Sequence, residues 1–338
     1  MEVIYRLANK DLKTVAEEAK WAESVGYDGV SSNESAHDPF MPLALAATAT
    51  RRPTLETRVA IAFPRSPMVV AYAAWDLQAA SDGRFKLGLG PQVKGHNERR
   101  FSVKWLPPGP RMREYVKALH AIWDNWQDNK KLDFKGDYYT FTLMNPMFNP
   151  GPIKQPRPKV YLAGVNPYNC RVAGEVADGL MLHSLNTATY VRKAILPHVA
   201  EGAKAAGRNP ADVKINGGGF VITGPNRQAI DEIKPQVRQQ AAFYASTRTY
   251  KVVLDAHGWG EKCGRLHAMS LEGKWREMAN EITDEMLNEF AVIGEYDDVA
   301  GKIKERFGGI VQELSFNMPV KGADAETHLK RIIRDLKS

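Results

Sequence analysis

Cysteine is almost missing: the chain has Cys170 and Cys263 and no other in 338 residues. Two thiols cannot build the disulfide framework of a small secreted domain, so both are expected to be buried or partly buried in a reducing cytosol. No apolar run approaches the roughly 20 residues that a helix needs to cross a bilayer. The start, MEVIYRLANKDL, has no basic segment leading into an apolar one. A secretory leader is therefore not expected, and the expected location is cytoplasmic, without membrane attachment. Metal signatures are missing as well: there is no H-E-x-x-H, no paired C-x-x-C and no His-x-His at a strand end. G-x-S-x-G, G-x-G-x-x-G and the Walker lysine-serine are equally absent. The net charge of +7 comes without a long basic run, and lysines and arginines alternate with acids as in DDVAGKIKER. That pattern fits solvated helix faces, with a local share for an anionic ligand, and gives no footprint for nucleic acid.

What is present is a rhythm. EVIYRL reads as a strand. DLKTVAEEAKWAESVG then carries Leu12, Val15, Ala16, Ala19, Ala22 and Val25 at helical spacing, with Asp11 suited to the N-cap and Gly26 to the C-terminal turn. YDGVSS and TRVAIAF are further strands, and RFKLGLG a fourth. Between the last two, SPMVVAYAAWDLQAASDG places Pro67 where a first-turn proline belongs and Gly83 at the helix end. From about 91 to 158 the rhythm breaks into a long insertion rich in proline, glycine and aromatics, with one helix, RMREYVKALHAIWDNWQ. It resumes with KVYLAGV, DGLMLHS and VKINGGGFVIT; residues from about 226 to 290 read as mainly helical, and VQELSFNMP is the last strand. Eight strands, near residues 3, 29, 60, 87, 161, 181, 219 and 315, alternate with helices. This is the pattern of an α/β TIM (β/α)8 barrel in one domain, residues 1–338, with an insertion after strand 4 and extra helices after strand 7. An open doubly wound sheet is the other arrangement that the pattern allows.

In such a barrel the chemistry sits at the C-terminal ends of the strands. Strand 2 is followed by NESAHDPF. Its Glu34 and His37 could form an acid/base pair, or Asp38 could simply cap the following helix. Strand 3 runs into AFPRSP, where an apolar strand ends in two prolines with Arg65 between them. His183 ends strand 6 and points either into the ligand cavity or onto a neighbouring carbonyl; His120 reads as a packing residue. LAGVNPYNCRVAGEVADG, a strand, a glycine turn and a helix, is the best place for a phosphate held by backbone N–H groups. The glycines at 217–219 mark either close approach of ligand or backbone, or a bulge.

Several segments together, GYDGVSSNESAHDPF, AIAFPRSPMVVA, WDLQAASDGRFKLGLGPQV, VYLAGVNPYNCRVAGEVADGL and EFAVIGEYDDVAGKIKERFGG, resemble the bacterial luciferase-like flavin-dependent superfamily over nearly the whole chain. The run LQ-x-x-S-x-GR-x-x-LGLG is its most specific part. GHNERRF, STRTYKVVLDAHGWG and ITDEMLNEFAVIG resemble a subgroup of probable coenzyme F420-dependent oxidoreductases.

The resemblance implies a deazaflavin cofactor, F420, or alternatively FMN, at the C-terminal mouth, exchanging hydride with a small organic substrate. It implies a bulge at the end of strand 3, often with a non-proline cis peptide, against the back of the ring, here around Val59, Ala60 and Ile61. Gly90, Pro91, Gln92 and Val93 would flank the ring, and His183 would face the cofactor. Ala163, Gly164, Val165 and Asn166 would receive its phosphate. Glu34 and His37 fall where the family places acid/base groups, and Lys94, Arg99 and Arg100 could receive an anionic tail. An FMN-dependent monooxygenase and a non-catalytic flavin-binding protein are the other functions to weigh, and a homodimer is expected. Two departures matter: Pro91, Gln92 and Val93 stand where the superfamily's sugar-phosphate dehydrogenases carry an acid, so that activity is not carried over, and strand 2 ends NESAHD, with His37 not directly after the acid as in the family.

Overall fold

The computed structural model describes residues 1–8, 11–320 and 322–338. In chain order the strands are β1 (Glu2–Arg6), β2 (Gly29–Ser32), β3 (Thr54–Thr57), β4 (Ala60–Ile61) and β5 (Phe85–Gly90). The insertion holds β6 (Phe134–Lys135) and β7 (Thr140–Phe141). Then come β8 (Lys159–Ala163), β9 (Gly179–Met181), β10 (Lys214–Gly217), β11 (Phe220–Gly224), β12 (Ala291–Glu295) and β13 (Glu313–Ser315). β1, β2, β3, β5, β8, β9, β10 and β13 pair in parallel in that order, and β13 returns to β1. The β3–β5 pairing, with Leu55 opposite Phe85 and Glu56 opposite Lys86, completes a closed eight-strand barrel. Among the described residues no helix is long and apolar enough to cross a membrane, and no cluster of three His, Cys, Asp or Glu could hold a metal. Cys170 and Cys263 are free and buried, and burial pushes the Cys170 thiol up to about 12.

The helices follow local chemistry. Asp11 accepts from the Lys13 N–H at the start of Leu12–Val25, and Gly26 ends that helix at φ 103°, a conformation open to glycine. Val15, Ala19, Ala22 and Val25 are its buried stripe, while Leu12 is exposed. Pro67 opens Pro67–Ala80 under a Ser66 cap. The insertion helix Pro108–Asp128 packs on it: the Trp123 Nε1–H donates to the Ala71 carbonyl at 3.3 Å, and Trp126 meets Trp75 edge-on.

Two expected strands differ from those found. The third starts earlier, at Thr54, and the chain passes through a cis Arg58–Val59 peptide into the two-residue β4. TLET does not look like a core strand because Glu56 points into the barrel. The seventh is two strands. β10 leaves the barrel at Gly217, and β11 pairs in parallel with β12 in a separate two-stranded sheet. Gly218 turns at φ 131°, and a Cβ on Gly219 would lie 2.5 Å from the Phe290 carbonyl oxygen. The triple glycine is thus an exit that runs close to another backbone.

The barrel is filled by charge as well as by carbon. The Lys86 Nζ donates to Glu313 at 2.8 Å, and the Tyr161 hydroxyl donates to the same oxygen at 2.8 Å. The Asn216 Nδ2 donates to Glu56 at 2.8 Å and to Glu313 at 2.7 Å, and its Oδ1 accepts from Arg58. Burial pushes Glu56 up against the pull of Arg58 and Lys86. For Lys86, burial would lower the ammonium, but Glu313 and Glu56 together outweigh it and raise it. Removing one member of such a set leaves an unpaired buried charge. Lys86→Met is therefore expected to lower stability by roughly 3 kcal/mol, read from the denaturant midpoint; an unchanged midpoint would show that the layer contributes nothing.

Candidate active site at the C-terminal mouth of the barrel

Above this charged layer lie the strand ends. The segment after β2 is fixed by Arg65. Its Nη1 donates to both Glu34 oxygens, at 2.8 and 3.0 Å, and to the Ile61 carbonyl at 3.1 Å, while its Nη2 donates to Asp38 at 3.0 Å. Glu34 also accepts the Ile61 N–H at 2.7 Å, and its side chain is only 6% exposed. Asp38 Oδ1 accepts from the Phe40 and Met41 amides, so it does cap the following helix. Both carboxylates of ESAHD thus hold the end of β4 in place. His37, between them, is exposed and lines an open cleft. Sequence reading missed Arg65 as the hub; its signal was an arginine set between two prolines at an apolar strand end.

Across the mouth, two expected positions, Val59 and Ala163, meet at a third, Gly90. A Cβ built on Gly90 would lie 2.7 Å from the Val59 Cγ2 and 3.4 Å from the Ala163 Cβ. Val59 and Ala163 are partly exposed there, so Val59, between β3 and β4, forms a ledge with the last residues of β5 and β8. Ala60 and Ile61 are buried behind it. Gln92 takes a positive φ of 57° and accepts the Val93 N–H on its own side chain. The buried Asn97 donates to the Pro91 and Val93 carbonyls, at 2.9 and 3.1 Å, and pins this loop. Lys94, Arg99 and Arg100 are exposed, and Arg100 reaches the Ser35 carbonyl across the mouth.

β8 runs into the helix Pro167–Val176. The Asn166 side chain caps it by accepting from Asn169, and the Val165 carbonyl accepts from the Tyr190 hydroxyl at 2.7 Å. Gly164 is packed so closely that a Cβ would lie 2.7 Å from Leu180. Beside this helix start, Arg113 and Arg171 flank the ring of Tyr168. Arg113 is already bound by both oxygens of Glu175 and Arg171 pairs with Glu201, so what this helix start offers an anionic group is its backbone N–H donors and dipole.

His183 lies under the far side of the mouth, its ring stacked on Tyr250 at 4.4 Å and edge-on to Tyr244 at 4.5 Å. Its Nδ1 accepts the Leu185 N–H at 3.0 Å, so the neutral ring carries its proton on Nε2. Burial, aided by the Arg58 charge, lowers the imidazole from 6.5 to about 4. At neutral pH His183 is thus a hydrogen-bond donor and not a proton source.

Residues 4–313 match the model of the luciferase-like monooxygenase family. The chain belongs to that family. An uncharacterized protein of Mycobacterium tuberculosis is 40% identical over 326 residues, 96% of this chain and 95% of that one. A 5,10-methylenetetrahydromethanopterin reductase of Methanolobus tindarius is 24% identical, over 95% of each chain. The structure of a coenzyme F420-dependent tetrahydromethanopterin reductase from Methanopyrus kandleri superposes with a TM-score of 0.78 at 19% identity, covering 99% of this chain and 98% of that one. Family members are oxidoreductases and monooxygenases.

A pH prediction follows from His183. The group is depressed in the folded state, so its contribution is fully present above pH 6.5 and is lost as pH falls toward 4. His183→Asn keeps an acceptor for Leu185 but cannot titrate. Its urea midpoint should fall less steeply than wild type below pH 6.5, by up to roughly 3 kcal/mol in stability near pH 4. Parallel curves would show that the ring charges without cost.

Proposed function

We propose that this protein is a coenzyme F420-dependent oxidoreductase acting on a small organic molecule at the barrel mouth. The observation that carries the reading is the ledge of Val59, Gly90 and Ala163, next to a helix start suited to a phosphate. The F420 dependence of a structural neighbour supports the same choice. When bound, the deazaflavin supplies a ring carbon that gives or takes hydride. Val59 would support the back of the ring, held by the grip of Glu34 and Arg65 on Ile61. Gly90 and Ala163, lacking bulk, would let the ring lie close to the strand ends. The loop of Pro91, Gln92 and Val93 would close one edge. Val165 and Asn166, ahead of the helix at Pro167, would present backbone donors to the phosphate, with Gly164, whose N–H is taken by the Met181 carbonyl, and Ala163 giving it room. The His183 Nε2–H would donate to a polar atom of cofactor or substrate. His37 would give or take the accompanying proton, since Glu34 and Asp38 are already bound by Arg65.

Titration of the purified protein with F420 and with FMN, followed by ring fluorescence, tests the cofactor. F420 is expected to bind more tightly. Tighter FMN binding would instead make the protein a flavin monooxygenase of the same fold, and binding of neither would remove the enzymatic reading. His37→Ala is expected to lower turnover by about 100-fold while leaving the F420 dissociation constant within about twofold. Unchanged turnover would take the proton role away from His37.

A further inference from the structure

The cations that line the barrel axis and its mouth are not all paired. Arg58 faces Glu56, Lys86 faces Glu313, and Arg65 holds Glu34 and Asp38. Among the described residues, Arg6 at the end of β1 has no ion pair and its guanidinium makes no hydrogen bond. Its backbone is fixed nonetheless: the Arg6 N–H donates to Asn317 Oδ1 at 2.9 Å, and the Asn317 Nδ2 donates to the Arg6 carbonyl at 3.0 Å. The neighbouring Tyr5 turns outward and donates to Glu18 on the helix Leu12–Val25, at 2.8 Å. Alternation along the strand then directs Arg6 toward the barrel axis. Its charge is felt there: Arg58 is lowered chiefly by burial, and the Arg6 charge adds to the effect.

Arg6 lines a cleft of about 600 Å³ between the ends of β1, β2 and β13, on the His37 side of the mouth. That is the size of a small-molecule site. Among the described residues no carboxylate lines it, so a guanidinium and a histidine stand in a wall otherwise of amides, a hydroxyl and apolar groups such as Leu7 and Ala36. Both polar atoms of the Asn317 amide are already engaged by the Arg6 backbone. The cleft therefore offers one fixed positive charge with a planar fork of donors, beside apolar contact surface. A planar monoanion with a short carbon body matches both features. A dianionic phosphate would find only half of its charge met.

We propose that this cleft is the substrate subsite and that Arg6 takes the carboxylate of a small organic acid there by two parallel hydrogen bonds. The word substrate rests on the oxidoreductase reading; the carboxylate site does not.

The test is calorimetric titration of the full chain with hexanoate, hexanamide and hexyl phosphate. Wild type should bind hexanoate about tenfold or more tightly than hexanamide, the fold-change expected of one charge-assisted pair. Arg6→Gln should bring that ratio close to one, and Arg6→Lys, which keeps the charge but not the fork, should fall between. The side chain supports no other described contact, so thermal melts of both variants should match wild type. If Arg6→Gln does not fold, Arg6→Lys alone reads the loss of the fork. Equal binding of acid and amide to wild type overturns the proposal, as does a lack of saturable hexanoate binding. A preference that survives in Arg6→Gln, or tighter binding of hexyl phosphate, overturns it too. F420 is titrated separately on the same samples. Lost F420 binding with an intact hexanoate preference removes the cofactor reading and keeps the site; the converse removes only the site.

Discussion

Everything at the mouth of this barrel stands on a layer of buried charge. Glu56, Lys86, Tyr161, Asn216 and Glu313 come from five strands and satisfy one another across the barrel axis. Such a layer is costly to desolvate and is tolerated only when the set is complete. Its completeness fixes register: Glu56 sits opposite Lys86, and Asn216 opposite Glu313, because only that alignment gives each group its partner. A one-residue slip would turn these side chains outward and put their neighbours inside. Arg58 is the top member of the layer and also the first residue of the cis peptide leading into β4. The floor of the site and the bend of its third strand are therefore one construction.

The mouth itself divides into two unlike halves. Over β4, β5 and β8 it is small-residued and tight, with glycine and alanine where a larger side chain would protrude. Over β1, β2 and β13 it is open and carries the uncompensated Arg6. The first half suits a flat group held by shape and by backbone donors, the second a smaller polar one held by charge. The Arg65 clamp separates them. By holding Glu34 and Asp38 it removes two acids from the open side, so that the Arg6 charge is not quenched locally.

How much of this was legible in the sequence depended on whether a residue acts locally. Asp11, Gly26, Ser66 and Pro67 act within one turn, and their elements were readable from spacing and capping alone. The barrel itself was readable because apolar strands alternate with amphipathic helices. TLET was not, since Glu56 is a core residue only because Asn216 lies 160 positions away. The triple glycine was noticed but misplaced: its use depends on the Phe290 carbonyl, which no local pattern shows. The resemblance pointed to the positions of the ledge, and the structure brings Val59, Gly90 and Ala163 within contact of one another. It did not point to Arg65 or Arg6, whose roles depend on which partners the fold gives one and withholds from the other.

That contrast also bears on proton transfer. Three titratable groups bear on it: Glu34 and His37, which follow β2, and His183, which follows β9. Glu34 is held by a guanidinium and a backbone N–H, so protonating it would break the clamp that positions β4. His183 has its Nδ1 occupied and its charged form suppressed, so it can donate a hydrogen bond but does not hold a spare proton near neutrality. Among the described residues, no hydrogen bond or ion pair holds the His37 side chain. It stands in the same cleft as Arg6, exposed to solvent from which a proton can be exchanged. A group that must change protonation in each turnover is best placed where no structural contact depends on its state. Of the three, only His37 meets that condition.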